Sequence, residues 1–255
     1  MNPLFLIGTL GLVTFLYWAA YQSARALRSK TIEISGNLLL SIPEFIFKLL
    51  LLGICFGLAN TLDVPRLDKI IGWPSRQPVV DIVIGTAIGL VTAFVVNLLS
   101  IGAIRIWGKK IYSPELMKNL IPRNQLEWVL IIIPLFLAVA LEEMLFRALL
   151  IGGYSVVVNP WAMALASSVV FGMMHSPQGI LGIVLTGLVG LLFGAVFIIT
   201  GSLLVVIIAH FAVNFLQIVR AKDDIAWYER FEDRIQSEEA ELEPEGIPET
   251  SEPLT

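Results

Sequence analysis

Residues 128–153 read WVLIIIPLFLAVALEEMLFRALLIGG, an apolar run in which the only ionisable residues are Glu142, Glu143 and Arg147. About 20 apolar residues in a helix cross a hydrocarbon layer about 30 Å thick. Ionisable groups inside such a helix are costly and mark functional positions by default. The run, read as a span over 128–150, therefore predicts a membrane-crossing helix with three polar groups to explain. Six more apolar stretches lie around it, at 3–20, 38–59, 79–104, 161–176, 179–199 and 201–219. The expected fold is all-α: a polytopic membrane helical bundle of about seven transmembrane helices.

Composition agrees with that reading. The 255 residues are 56% apolar and 15% charged, with a mean hydropathy of +0.82. Soluble domains carry about 25% charged residues, so an ordinary soluble globule and a disordered chain are both excluded. A single cysteine, Cys55, rules out an internal disulfide framework. The bases are scattered through short loops and form no patch, so no nucleic-acid partner is expected.

No Lys or Arg precedes the first span, whereas Arg25, Arg28 and Lys30 follow it. A cleavable signal peptide has the opposite order, so the segment reads as a retained anchor. Lys and Arg also set orientation, because cytoplasmic loops carry the excess. Segments 21–37, 105–125 and 220–222 collect most of them, while the opposite loops hold only Arg66, Lys69 and Arg76. With seven spans this places the N-terminus outside and the C-terminus in the cytoplasm of a cell (plasma) membrane protein. The span at 38–59 contains Pro43, Glu44 and Lys48. Its two charges are spaced i,i+4 and can pair on one face, which leaves a tilted or interfacial helix open. Residues 221–255 hold three bases against twelve acids, net −9, so the rest of the chain carries +5. The organisation expected is N-terminal transmembrane helices over 1–104, core helices over 125–219 and an acidic cytoplasmic tail over 220–255. Its Glu- and Pro-rich part from 236 onward is read as disordered.

Both histidines of the chain fall in apolar helices: His175 after Phe171 in FGMMH, and His210 before Asn214 in HFAVN. Glu143 and Arg147 are i,i+4 and can form an ion pair inside the bundle. Glu142 is turned about 100° away and has no local cation, a setting that suits a general base. His210 and Asn214 share a helix face and can donate to one oxyanion. At 1.5 Å per residue, Glu142 and His210 both lie about 12 Å below one end of their spans, whereas His175 comes out about 9 Å deeper. A fifth span that begins already inside the bundle would remove the mismatch. Each residue alone could be a helix-packing group, but together they concentrate nearly all the polarity of three spans.

Glu142-Glu143-Met-Leu-Phe-Arg147, Phe171-Gly-Met-Met-His175 and His210-Phe-Ala-Val-Asn214 resemble the EExxxR, FxxxH and HxxxN/D motifs of the CAAX-protease and bacteriocin-processing (CPBP, or Abi) family of intramembrane proteases. That family includes the type II CAAX prenyl endopeptidases. The resemblance covers roughly 125–218. It implies hydrolysis of a peptide bond in a membrane-associated peptide or lipidated protein substrate within a water-filled cavity. Glu142 would activate water, His175 would help hold it, and His210 and Asn214 would stabilise the oxyanion. Glu143, Arg147 and Phe171 would give structural support.

Two mechanisms are compatible with these residues. Glu142, His175 and His210 have the composition of a His2Glu zinc site with water in the fourth position, and the same three can work without metal. Two other function classes are also open: a non-enzymatic immunity or scaffold protein of the same family, and a proton-coupled transporter. Intact motif residues speak against the first. The absence of two matching halves with interrupted helices speaks against the second. Oligomeric state is not legible.

Overall fold

The structure is a computed structural model that describes residues 2–28, 36–62 and 67–242. Lys30, Arg66 and residues 243–255, which enter the orientation and tail readings, lie outside them. In chain order the helices are α1 (Pro3–Arg28), α2 (Ile42–Asn60), α3 (Leu67–Ile71), α4 (Pro78–Trp107), α5 (Glu115–Lys118), α6 (Gln125–Leu130), α7 (Ile132–Glu143), α8 (Pro160–Met174), α9 (Gly179–Thr200) and α10 (Leu203–Leu242). No strand occurs among the described residues. The chain is an integral membrane protein built as a polytopic helical bundle.

Among the described residues, six helical segments are long and apolar enough to cross a membrane. The seventh expected span, α8, has 15 residues, about 22 Å at 1.5 Å per residue, and is short of the hydrocarbon thickness. Pro177, just beyond His175, explains its early end, because proline has no N–H and disfavours helical geometry in the residue before it. Asn159 caps α8 by accepting from Trp161 N at 2.9 Å. The helix thus starts where Asn159-Pro160 predicts. The span at 38–59 opens with a short 3-10 turn and becomes α2, in which Lys48 and Glu44 pair at 2.7 Å.

The run that opened the reading is the most enclosed of the six. Half of its window is buried, against 17% for α4, so it forms the bundle centre while α1, α2 and α4 present Leu, Ile, Val and Phe outward. After Glu143 the α-helix passes into a ten-residue π-helix, Met144–Gly153, every residue of which is buried. Met144, Leu145, Phe146 and Leu149 pack there with Phe171 of α8, Phe193 of α9 and Val206 of α10.

α4 and α10 lie side by side and run parallel. Asp81 at the start of α4 accepts from Ser202 Oγ at 2.5 Å, and Arg105 near its end stacks 5.9 Å over Trp227. A parallel pair requires four reversals between them, so α8, though short, still makes one pass through the bundle. Asn37 donates to the Leu120 carbonyl at 2.9 Å, so the Asn37 turn, the α4–α6 connection and the Trp227 region gather at one end. The Gly72 loop, which accepts from Leu203 N, lies at the other.

Two glycines permit the close α4–α10 contact. A Cβ on Gly85 would lie 2.6 Å from the Val205 carbonyl oxygen, and one on Gly89 would lie 2.6 Å from that of Ala209. Backbone cannot give way cheaply at such a distance. Gly89→Val is expected to cost about 1–3 kcal/mol, read as a fall in thermal unfolding temperature. An unchanged temperature would show that the two helices do not pack this tightly.

The tail departs from expectation. α10 continues to Leu242, so the helix extends into the stretch read as disordered from 236 onward. Glu, Ala, Gln, Arg and Leu are strong helix formers, and an amphipathic pattern is not needed to prolong a helix already nucleated by α10's buried half.

Candidate active site

The centre of the site is Glu143. Its side chain is fully buried, and Arg147 Nη1 donates to its Oε1 at 2.9 Å. The same oxygen lies 2.6 Å from His210 Nδ1. A carboxylate can only accept, so Nδ1 carries the proton and the other ring nitrogen, Nε2, is left for chemistry. Arg147 is held in turn: Nη2 donates to the Gly190 carbonyl at 3.1 Å, and its guanidinium sits 5.0 Å from the Phe171 ring and 5.9 Å from Phe193. The expected Glu143–Arg147 pair is therefore present, and it also fixes a motif histidine.

Glu142 faces elsewhere, as its rotation on the helix requires. Its side chain keeps 33% of its exposure, and Oε2 lies 3.7 Å from His210 Nε2. That oxygen is buried and has no hydrogen-bond partner among the described residues. A buried unsatisfied acceptor costs about 1–3 kcal/mol. The fold thus holds a carboxylate oxygen uncommitted beside a ring nitrogen.

His175 stands at the C-terminal cap of α8, where its Nδ1–H donates to the Phe171 carbonyl at 2.8 Å. Its ring is 4.9 Å from that of Phe171, and Phe171 is 5.9 Å from His210. Phe171 thus contacts both imidazoles and lies between the two motif histidines, which the fold brings to one place despite the depth difference expected from span counting. Phe171, His175, His210 and Asn214 all line one cavity of about 330 Å³. Glu142 is not among its lining residues and joins the group through His210.

The candidate zinc set does not assemble. Glu142, His175 and His210 do not form a group able to hold a metal ion, and no such group of His, Cys, Asp and Glu occurs among the described residues. Each imidazole has its Nδ1 engaged, one by Glu143 and one by a backbone carbonyl, which leaves both Nε2 atoms open. As placed, the three do not converge on one His2Glu site among the described residues, and no step below passes through a metal.

Residues 124–216 match the family of type II CAAX prenyl endopeptidase Rce1-like proteins. This part of the chain is similar to that family. The match takes in all three motifs and covers a little over a third of the chain. No curated protein and no solved structure matches the chain. Within the matched segment, sequence reasoning missed three contributors. Phe193, 5.7 Å from the His210 ring, is one of many apolar residues of α9 and carries no signal. Gly190 acts through its carbonyl, which sequence does not flag. The Glu143–His210 bond joins helices 67 positions apart.

Proposed function

We propose that the protein is an intramembrane endopeptidase of CAAX-protease-like type, hydrolysing a peptide bond of a membrane-associated or lipidated substrate. One observation carries this reading: an uncommitted Glu142 oxygen beside His210 Nε2, whose ring is clamped from behind by Glu143 and Arg147. Arg147 balances Glu143, and the mechanism uses His210 with a proton on each ring nitrogen, Nδ1–H toward Glu143 and Nε2–H toward the substrate.

In the first step Glu142 takes a proton from a water as the water oxygen bonds to the substrate carbonyl carbon. The carbonyl π electrons move to oxygen, where Nε2–H of His210 and the amide N–H of Asn214 stabilise the oxyanion. Nε2 of His175 helps hold the water. When the tetrahedral intermediate collapses, the C–N bond breaks and Glu142 returns the proton to the leaving nitrogen. The products are a carboxylic acid and an amine. We place the Asn37 and Trp227 end, which gathers the basic segments, in the cytoplasm and the protein in the cell membrane. A cavity lined by Phe171, His175, His210 and Asn214 favours hydrolysis over an immunity or scaffold role.

The test is cleavage by the purified chain of a panel of fluorogenic peptides that includes prenylated CAAX peptides. Asn214→Ala is expected to lower kcat about 10²–10³-fold with little change in KM, the loss typical of one oxyanion donor. His210→Ala should lose at least as much. Cleavage by both variants at the wild-type rate would remove the oxyanion assignment, and no cleavage by the wild type would remove the peptidase reading.

A further inference from the structure

Contacts along the whole length of α4 and α10 set their register. Asp81 meets Ser202, Gly85 abuts Val205 and Ile208, Gly89 abuts Ala209 and Ala212, and Arg105 covers Trp227. Asn97 on α4 therefore falls level with Gln217 on α10. Both line the cavity that also reaches His210. Among the described residues neither side chain has a hydrogen-bond partner. Ser100, which lines the same wall, differs: its hydroxyl is spent on the Val96 carbonyl at 2.8 Å.

An amide at membrane depth that bonds to nothing is unfavourable. Two of them at one level, on neighbouring helices and turned to one cavity, offer two donor groups and two acceptors. That complement matches the N–H and C=O of an extended main chain, and an acyl chain has no use for it. Gln217 stands seven residues along α10 from His210, about 10 Å. An extended chain covers that distance in about three residues.

We propose that Asn97 and Gln217 form a carboxamide clamp that grips the main chain of an extended peptide about three residues from the bond placed at His210. The clamp rests on the peptidase reading for what lies at His210, but its test does not require turnover. The full-length Glu142→Gln chain in lipid nanodiscs is titrated into a fluorescein-labelled pool of apolar-rich nonapeptides, and into the same pool N-methylated at every backbone nitrogen. Binding is followed by fluorescence anisotropy.

The unmodified pool should bind about fivefold or more tightly than the methylated one, the worth of one neutral hydrogen bond. Asn97→Leu and Gln217→Leu, each added to that chain, should weaken the unmodified pool about fivefold and narrow the difference between pools. Both replacements put an apolar group of similar size at membrane depth, so thermal unfolding should stay at or above the parent value. Equal binding of the two pools, unchanged discrimination in the leucine variants, or no binding at all would overturn the clamp. Discrimination by this chain together with no cleavage by the wild type would leave the clamp standing and remove hydrolysis.

Discussion

Glu142→Gln should reduce peptide cleavage by about 10²–10⁴-fold, the range a positioned general base supplies, while leaving the fold intact. The change is nearly isosteric, and Glu142 Oε2 has no hydrogen bond to lose among the described residues. Its side chain is also the more exposed of the acidic pair, at 33% against 0% for Glu143. Glutamine cannot take the water's proton at this position, so the loss belongs in kcat, with KM little altered. Single-turnover cleavage and thermal unfolding measured on one preparation separate chemistry from stability. A variant that cleaves at the wild-type rate would mean another group removes the proton. His210 would then be the first to examine, because Glu143 already orients its ring as a carboxylate orients histidine in a catalytic triad.

The sequence was most informative where lipid makes polarity expensive. Glu142, Glu143, Arg147, His175 and His210 stand out because nearly everything around them is apolar, and the i,i+4 rule alone pairs Glu143 with Arg147 as observed at 2.9 Å. All seven apolar stretches became helices for the same reason, since a backbone in hydrocarbon has to satisfy its own hydrogen bonds. What did not show was anything set by neighbours distant in the chain. Apolar residues on every side of 144–153 give no sign of a switch from α to π winding. Nor does periodicity say that His210 should reach Glu143 as well as Glu142, because that depends on how far α10 slides along α7. α8, Pro160–Met174, ends within two residues of the apolar stretch at 161–176, with Pro177 marking where the helix stops. The helical extension of α10 to Leu242 was missed because composition was weighed for burial, whereas a helix already started needs only residues that do not stop it.

Arg147→Met is expected to be the most damaging single change to stability, costing about 3–5 kcal/mol. Arg147 is the largest fully buried side chain. Methionine fills much of its space but removes both the cation facing Glu143 and the donor to the Gly190 carbonyl. Glu143 would then be a buried carboxylate whose only remaining partner among the described residues is His210 Nδ1. The cost comes from the charge left behind, so removing that charge should recover part of it. Arg147→Met combined with Glu143→Gln is expected to unfold at a higher temperature than Arg147→Met alone, and the difference measures the coupling. At about 2–4 °C per kcal/mol for a chain of this size, the single variant should lose about 10 °C. Activity should follow a different order. The double variant regains stability but not the carboxylate that holds the His210 proton on Nδ1, so its kcat should stay low. Recovery of stability and activity together would mean that Glu143 and Arg147 serve only the fold, and that His210 finds its orientation from the Phe171 and Phe193 rings packed on either side.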